Sequence, residues 1–312
     1  MQRQTGTADK VAPGLRCILA PNPSLMTERG TNTWILGQGT VAVIDPGPND
    51  ARHLKAILAA LAPGERIGAI LVTHAHLDHS ALAPALATQT GAAVHGFRAD
   101  ADRAVQGSPA PSDQPADGMD RRFRPDIILA NASLIVGDWG RIDALHTPGH
   151  HPGHLCFAWR DSLFTGDHVM GWSSSLIAPP EGSMADYMTS LAALAARNWH
   201  MGYPGHGPPI ADMARRLADL ILHRQAREAA ILNTLAQGPL SVRAVAATVY
   251  KDLPLALIPA AERSTLAHLI DLQHKNMVET VPAPGLLTVF RRRPNRGSFH
   301  ANPSGRPPTR LL

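Results

Sequence analysis

An α/β layered fold followed by a smaller C-terminal helical module is what this 312-residue sequence predicts. Three observations carry the prediction. Short apolar, strand-like runs alternate with segments of helical spacing between residues 41 and 94. Clusters of His and Asp, each with a neighbouring Gly or a following helix, stand directly after several strand-like runs along the chain. From Met213 onward the pattern changes to long helical periodicity, and the chain ends in a basic stretch.

The elements follow in order. Residues 1–40 mix turns with short apolar stretches and end in Asn32-Thr33-Trp34-Ile35-Leu36. Residues 41–44 read as a buried strand, closed by the turn Asp45-Pro46-Gly47-Pro48. Residues 51–62 have helical spacing, 67–72 form a second buried strand, 80–87 a second helix, and Ala93-Val94 begins another strand. Residues 98–126 carry Pro109, Pro111 and Pro115 with little periodicity and read as a long surface loop. Strand-like runs return at 127–129, 134–136, 141–145, 155–159 and 162–164, spaced closely enough for antiparallel pairing. A helix over 184–196 has Ser183 as its cap.

Beyond 213, the residues Leu217, Leu220, Arg224, Ile231 and Leu235 share one helical face, and Gly238-Pro239 stops that helix. Segments 242–249 and 260–276 follow, then strand-like pairs at 278–281 and 286–290. Three helices and a β-hairpin are the plan of a winged-helix module. The division is therefore 1–212 catalytic, 213–290 winged-helix-like, and 291–312 a basic tail rich in Pro, Gly, Ser and Arg, expected to be disordered.

Composition excludes several classes. Apolar residues make up 44% and charged residues 17%, which is not a disordered chain. No apolar run approaches the roughly 20 residues a membrane helix needs. The polar start and a total of 2 cysteines, Cys17 and Cys156, point to a reducing cytoplasm. Net charge is +4, but residues 213–312 hold 14 Lys and Arg against 6 Asp and Glu, so the basic excess is C-terminal. That asymmetry fits either an acidic partner or a solvated tail.

Chemistry concentrates in Thr73-His74-Ala75-His76-Leu77-Asp78-His79, between a strand and a helix. Three imidazoles and a carboxylate on one turn would crowd unpaired polar nitrogens, and a divalent cation such as Zn²⁺ resolves that. Three further sites end strands in the same way: His146-Thr147-Pro148-Gly149-His150, Thr165-Gly166-Asp167, and Tyr203-Pro204-Gly205-His206-Gly207. Each is weak alone, since an Asp after Gly is usually a turn residue. In this order they reinforce one another.

With these motifs, residues 32–206 resemble the metallo-β-lactamase superfamily. The resemblance implies an αβ/βα metallo-β-lactamase sandwich with a dinuclear metal site at one edge. It implies His74, His76 and His150 as ligands of one zinc, Asp78, His79 and His206 as ligands of the other, and Asp167 as the carboxylate between them. Iron or manganese suits the same His and Asp donors. Asp45 matches an aspartate that supports the site. The implied reaction is hydrolysis by a hydroxide shared between two metals, with Asp78 also orienting it. His154 is either a group that meets substrate or donates a proton, or a histidine packed below the site.

The runs Gly166-Asp167-His168-Val169-Met170-Gly171-Trp172 and Ile177-Ala178-Pro179-Pro180-Glu181-Gly182-Ser183 narrow the resemblance to the β-lactamase-like protein 2 group, whose members carry a C-terminal winged-helix-like domain. Its animal members include an endoribonuclease acting on single-stranded RNA. Ser80-Ala81-Leu82 departs from the Ser-Gly-Gly that many members carry after the ligand pair. The first functional expectation is thus cleavage of single-stranded RNA; the alternative is hydrolysis of a small ester, thioester or lactone. An antibiotic-cleaving β-lactamase fits less well, because those enzymes are secreted and lack the bridging aspartate. A non-enzymatic winged-helix binding protein fits least, since residues 260–276 offer Arg263 and Lys275 as their only Arg or Lys. No membrane is expected as partner, and homo-oligomerisation is left open.

Overall fold

The computed structural model describes residues 4–98, 118–281 and 288–294. Its first sheet orders seven strands as they occur in the chain: β1 (Ala8–Ala12), β2 (Leu15–Leu19), β3 (Asn32–Leu36), β4 (Thr40–Ile44), β5 (Arg66–Leu71), β6 (Ala93–Gly96) and β7 (Ile127–Ile128). Strands β1 to β4 pair antiparallel, and β4 to β7 pair parallel. Helices α1 (Ala51–Ala59), α2 (Leu77–Ser80) and α3 (Ala83–Thr90) lie in the parallel crossovers.

The second sheet contains β8 (Leu134–Gly137), β9 (Gly140–His146), β10 (Leu155–Trp159), β11 (Ser162–Gly166) and β12 (Met201–Pro204), in the order β12-β11-β10-β9-β8. Only its β11–β12 pair is parallel, joined through α4 (Met184–Ala195). Ser183 caps α4 by accepting the Asp186 N–H, as its position before the apolar run predicts.

The sheets bury one core between them. Trp34, Leu36, Ile44 and Leu71 from the first meet Phe157, Phe164 and Tyr203 from the second. Trp34 and Phe164 pack edge to face at 5.7 Å, a geometry aromatic quadrupoles favour. A second cluster, with Ile57 and Leu86, sits under the helices of the first sheet, and a third, with Tyr187 and Leu191, under α4. Helix, sheet, sheet, helix is the predicted sandwich.

The C-terminal module comprises α5 (Met213–Leu235), α6 (Val242–Val249), α7 (Ile258–His274) and a sheet of β13 (Leu240–Ser241), β14 (Val278–Val281) and β15 (Val289–Arg292), ordered β13-β15-β14. Its core joins Ile231, Leu235, Val245, Leu269, Leu272 and Phe290. Helix α5 serves two cores. Met213, Leu217 and Leu220 pack with the sandwich, and Ile231 and Leu235 with the module. The expected boundary at 213 therefore falls at the start of a helix that both units share.

Three expectations change in detail. Strands β1 and β2 lie where only mixed turns and short apolar stretches were legible. The helix expected over 80–87 is two helices, with Pro84 in the first turn of α3, where its missing N–H costs nothing. Strand β15 runs to Arg292, past the expected boundary at 290, because Glu279 pairs across the hairpin with Arg291 and Arg293. Residues 99–117 of the expected loop, 282–287 of the hairpin and 295–312 of the tail lie outside the described residues. Among the described residues, no helix is long and apolar enough to cross a membrane.

Candidate metal centre

The site lies at the edge of the sandwich where β5, β9, β11 and β12 end. Each of these strands is followed by polar residues released into a turn. The loop after β5 supplies His74 and His76, and α2 supplies Asp78 and His79. His150 follows β9, Asp167 follows β11, and His206 follows β12. All seven residues that the sequence singles out as ligands converge there.

They form two groups, His74, His76, His150 and Asp167 in one, Asp78, His79 and His206 in the other, with the facing atoms of each group within 4.8 Å of one another. In the first, His76 Nδ1 lies 2.8 Å from His74 Nε2 and 3.1 Å from His150 Nε2. In the second, Asp78 Oδ2 lies 3.2 Å from His206 Nε2 and 3.4 Å from His79 Nε2. Asp167 reaches both: Oδ1 is 3.3 Å from His79 Nε2 and from His206 Nε2, and Oδ2 is 3.7 Å from His150 Nε2. His79 Nε2 and Asp167 Oδ1 are buried and make no directed hydrogen bond. Orphaned buried polar atoms are expensive. Here their lone pairs point into one space together with other N and O donors, which is the donor set and convergence that divalent cations require.

The opposite ring nitrogens are fixed by the protein. His150 Nδ1 donates to Leu176 O at 2.6 Å, and His206 Nδ1 to Gly30 O at 3.2 Å. Asp45 is the hub beneath β5. Its carboxylate accepts from the Thr73 N–H, the Thr73 hydroxyl and His79 Nδ1 at 2.8, 2.8 and 2.9 Å. The Thr73 hydroxyl thus spends its proton on Asp45, and its oxygen is left to accept from His74 Nδ1 at 3.0 Å. Such outer partners set the tautomer and aim of the imidazoles. Asp45 itself sits at a left-handed φ of 51°, a conformation Asp and Asn tolerate better than most residues.

The electrostatics agree with this arrangement. Burial, then the neighbouring imidazoles, push His74 well below its usual value, so its ring is neutral. Burial also acts to lower His79, but the carboxylates of Asp78, Asp167 and Asp45 outweigh it and hold His79 well above its usual value. His206 is likewise lowered by burial and raised more strongly by Asp167 and Asp78, to about 9. Burial favours neutral Asp78 and Asp167, yet the facing histidines hold both well below the usual carboxylate range. Without a cation, protons on His79 and His206 supply the positive charge the carboxylates demand.

His154 is placed beneath the site rather than at its mouth. It is 0% exposed; Nδ1 faces the Thr147 hydroxyl at 2.9 Å, and Nε2 accepts the Asp167 N–H at 3.3 Å. This geometry favours the packed reading, with His154 holding the backbone of Asp167. His151 and His168 are buried behind it, and His146 stacks on Phe97 at 4.4 Å. Tyr187 is core, whereas Trp172 is 37% exposed beside Gly207. Gly205 is a close-approach position: a Cβ there would lie 2.7 Å from both Asp167 Oδ1 and His79 Cε1. Sequence reasoning did not single out Thr31, whose hydroxyl donates to Asp78 Oδ2 at 3.3 Å, or Asn32, whose Nδ2 donates to Pro204 O and Gly207 O. Both belong to a strand end facing the ligands, which is visible only once β3 and β12 are adjacent in space.

Comparison with known proteins agrees with the fold. Residues 26–209 match the family model of the metallo-β-lactamase superfamily, and residues 241–283 match that of the β-lactamase associated winged helix domain. A β-lactamase-like protein 2 homolog of Drosophila melanogaster is 31% identical over 82% of this chain and 86% of its own length. An atrochrysone carboxyl ACP thioesterase of Aspergillus fumigatus is 31% identical over 73% of this chain, and the match spans 66% of that relative. Among solved structures, a β-lactamase domain protein from Burkholderia ambifaria has a TM-score of 0.78 at 22% identity, covering 94% of this chain and 95% of that one. A metallo-β-lactamase family protein from Thermus thermophilus has a TM-score of 0.71 at 24% identity, covering 90% of this chain and 99% of that one. These structures share the fold. With its ligand-like residues gathered at one edge of the sandwich and its helical module behind, this chain belongs to the metallo-β-lactamase superfamily.

Proposed function

We propose that the chain is a dinuclear metallo-hydrolase acting on thioesters or esters with an apolar acyl group. One metal would be held by His74, His76 and His150, the other by Asp78, His79 and His206, with Asp167 placed to reach both. Zinc is the metal that best suits this nitrogen-rich donor set. When bound, a pair of such ions supplies Lewis acidity and an ionised water near neutral pH.

The protein's own groups do the rest. Asp78 is the more exposed of the two carboxylates, 27% against 11% for Asp167. Its low proton affinity keeps it ionised, and Thr31 steadies Oδ2, so it can orient a water by accepting a hydrogen bond from it. Asp167 and the buried imidazoles are held rigid from behind and do not need to reorganise, the condition under which electrostatic stabilisation is strongest.

The observation that carries the substrate class is the rim. Leu77, set between His76 and Asp78, is 45% exposed, and Trp172 flanks Gly207 next to His206. Leu25 and Met26 are exposed on the turn leading to Gly30, whose carbonyl holds His206. Exposed apolar side chains close to the residues that would hold metal fit an acyl chain. The thioesterase relative supports the same class.

RNA cleavage is the second reading, favoured by the β-lactamase-like protein 2 homolog and the C-terminal positive charge. Against it, Arg291 and Arg293 are already paired with Glu279. The test is thiol release from aromatic and medium-chain acyl thioesters by zinc-loaded protein, beside labelled single-stranded RNA and an Asp167→Ala control. Thiol release lost in the control is expected. Internal RNA cleavage lost in the control, with no thiol release, would overturn the acyl reading in favour of RNA.

A further inference from the structure

Helix α5 reaches back over the loop that joins Asp167 to Leu176. Arg216 donates from Nε to Met170 O at 2.7 Å and from Nη2 to Ser173 O at 2.6 Å. Arg224, about two turns further on, donates to Ser175 O, and its guanidinium lies 5.2 Å from the centre of the Tyr187 ring. Arg224 is 2% exposed, sits on the apolar face of α5, and has a buried Nε with no hydrogen-bond partner. Among the described residues, no carboxylate forms an ion pair with either arginine. A guanidinium buried without a counter-charge is costly, so mere attachment of the module to the sandwich, which Leu217 and Leu220 already provide, does not explain it.

The carbonyls the arginines grip lead to the metal centre in one step. Ser175 Oγ lies 2.5 Å from Asp167 O and 2.9 Å from His168 O. The Tyr187 hydroxyl already donates to His168 O at 3.1 Å, which leaves the Ser175 proton for Asp167 O. The next carbonyl, Leu176 O, is the one that His150 Nδ1 meets at 2.6 Å. One short segment therefore orients Asp167, whose side chain reaches both groups, and His150, a member of the first, and α5 holds that segment at three carbonyls.

We propose that Arg216 and Arg224 are positioning residues: a two-arginine clamp through which the C-terminal helical module fixes Asp167 and His150. The clamp rests on the metal-centre reading above. The module is then part of the machinery that shapes the centre, in addition to any binding surface of its own. Trp172 rides on the clamped loop, so the same grip sets one wall of the mouth.

The test uses the full chain with Arg216→Gln, Arg224→Gln, the double variant and Arg224→Lys, with Leu272→Ala as a control that loosens the module core without touching the loop. Two quantities are read: hydrogen exchange of residues 168–177 in metal-free protein, and Zn²⁺ affinity by chelator competition. Each Arg→Gln change is expected to speed exchange in 168–177 at least tenfold and to weaken Zn²⁺ binding by about 10- to 100-fold, the range for lost outer partners of a ligand. Arg224→Lys, which keeps the charge and a donor, is expected to fall between. Leu272→Ala, at a comparable loss of Tm, leaves both within about twofold. Unchanged exchange at 168–177 in the arginine variants would overturn the clamp, as would equal changes in Leu272→Ala. Should Arg224→Gln not fold, Arg216→Gln at the less buried position decides. A wild-type chain that holds no Zn²⁺ would sink the metal-centre reading, while the exchange data still decide the clamp.

Discussion

Replacing Asp45 by Asn isolates a single carboxylate beneath the centre. The backbone there is left-handed at φ 51°, which Asn accommodates, so the change is confined to hydrogen bonding. Asp45 accepts three bonds, from the Thr73 N–H, the Thr73 hydroxyl and His79 Nδ1. An amide has one acceptor end. If its oxygen keeps the Thr73 hydroxyl and His79, its NH₂ opposes the Thr73 N–H; if it turns round, the NH₂ opposes His79 Nδ1–H. In the second arrangement the proton on His79 moves to Nε2, and the lone pair aimed at Asp78 and Asp167 is lost. Either way at least one charged hydrogen bond goes, worth about 1.5–3 kcal/mol, or roughly 10- to 150-fold in affinity at about 1.4 kcal/mol per decade. Chelator competition at pH 7 reads this directly, with Tm measured alongside. Zinc affinity within about twofold of the unmodified protein would refute the claim that Asp45 sets the His79 tautomer.

Other outcomes are equally specific. Gly205→Ala places a methyl 2.7 Å from Asp167 Oδ1 and His79 Cε1, so metal content should fall and urea unfolding should show a loss of about 1–3 kcal/mol; unchanged content would contradict the packing. Removing metal with a chelator should lower Tm, because each site stabilises the fold by about 2.7 kcal/mol when free metal exceeds its Kd about 100-fold; calorimetry with and without zinc checks it. His268 is buried and pushed down to about 3, first by burial and then by Arg224. Between its ordinary value of 6.5 and about 3 the unfolded chain binds the extra proton, so stability falls as pH falls through that window, by up to about 1.4 kcal/mol per pH unit. His268→Leu should therefore flatten the acid limb of a stability-versus-pH curve by one proton. Glu279→Gln releases Arg291 and Arg293, and salt-sensitive binding of a single-stranded oligonucleotide should strengthen; no change would mean that the hairpin faces no polyanion.

Much of the site was readable because a metal site is a local pattern repeated at strand ends. His74 through His79 lie within one turn, and His150, Asp167 and His206 each follow a strand. Strand β4 was equally plain, since every residue of it is buried. Strand β1 was not: its residues are half-buried or exposed, so no clean alternation marks a face. Strand β13 is two residues long and exists only through its pairing with β15. His154 illustrates a different limit. Four residues from His150, it has the same local setting, but its ring points beneath the site, and only the packing of β10 against Thr147 and Asp167 decides between the two directions. Arg224 is the reverse case. Its place on an apolar face was visible, but its partner lies 49 residues earlier in a turn with no periodic signature.

That the centre is drawn from both sheets has a consequence for biosynthesis. His79 and His206 stand about 127 residues apart. On a ribosome adding about 5–20 residues per second, roughly 6–25 s separate their appearance. Throughout that interval the nascent chain presents His74, His76, Asp78 and His79 as a half-built chelate, open to whichever cation the surroundings offer. Completion comes with β12, whose Pro204 carbonyl accepts from the Asn32 amide just before His206. A cation bound by these residues would therefore meet its ligand set in stages, first residues 74–79 and last His206.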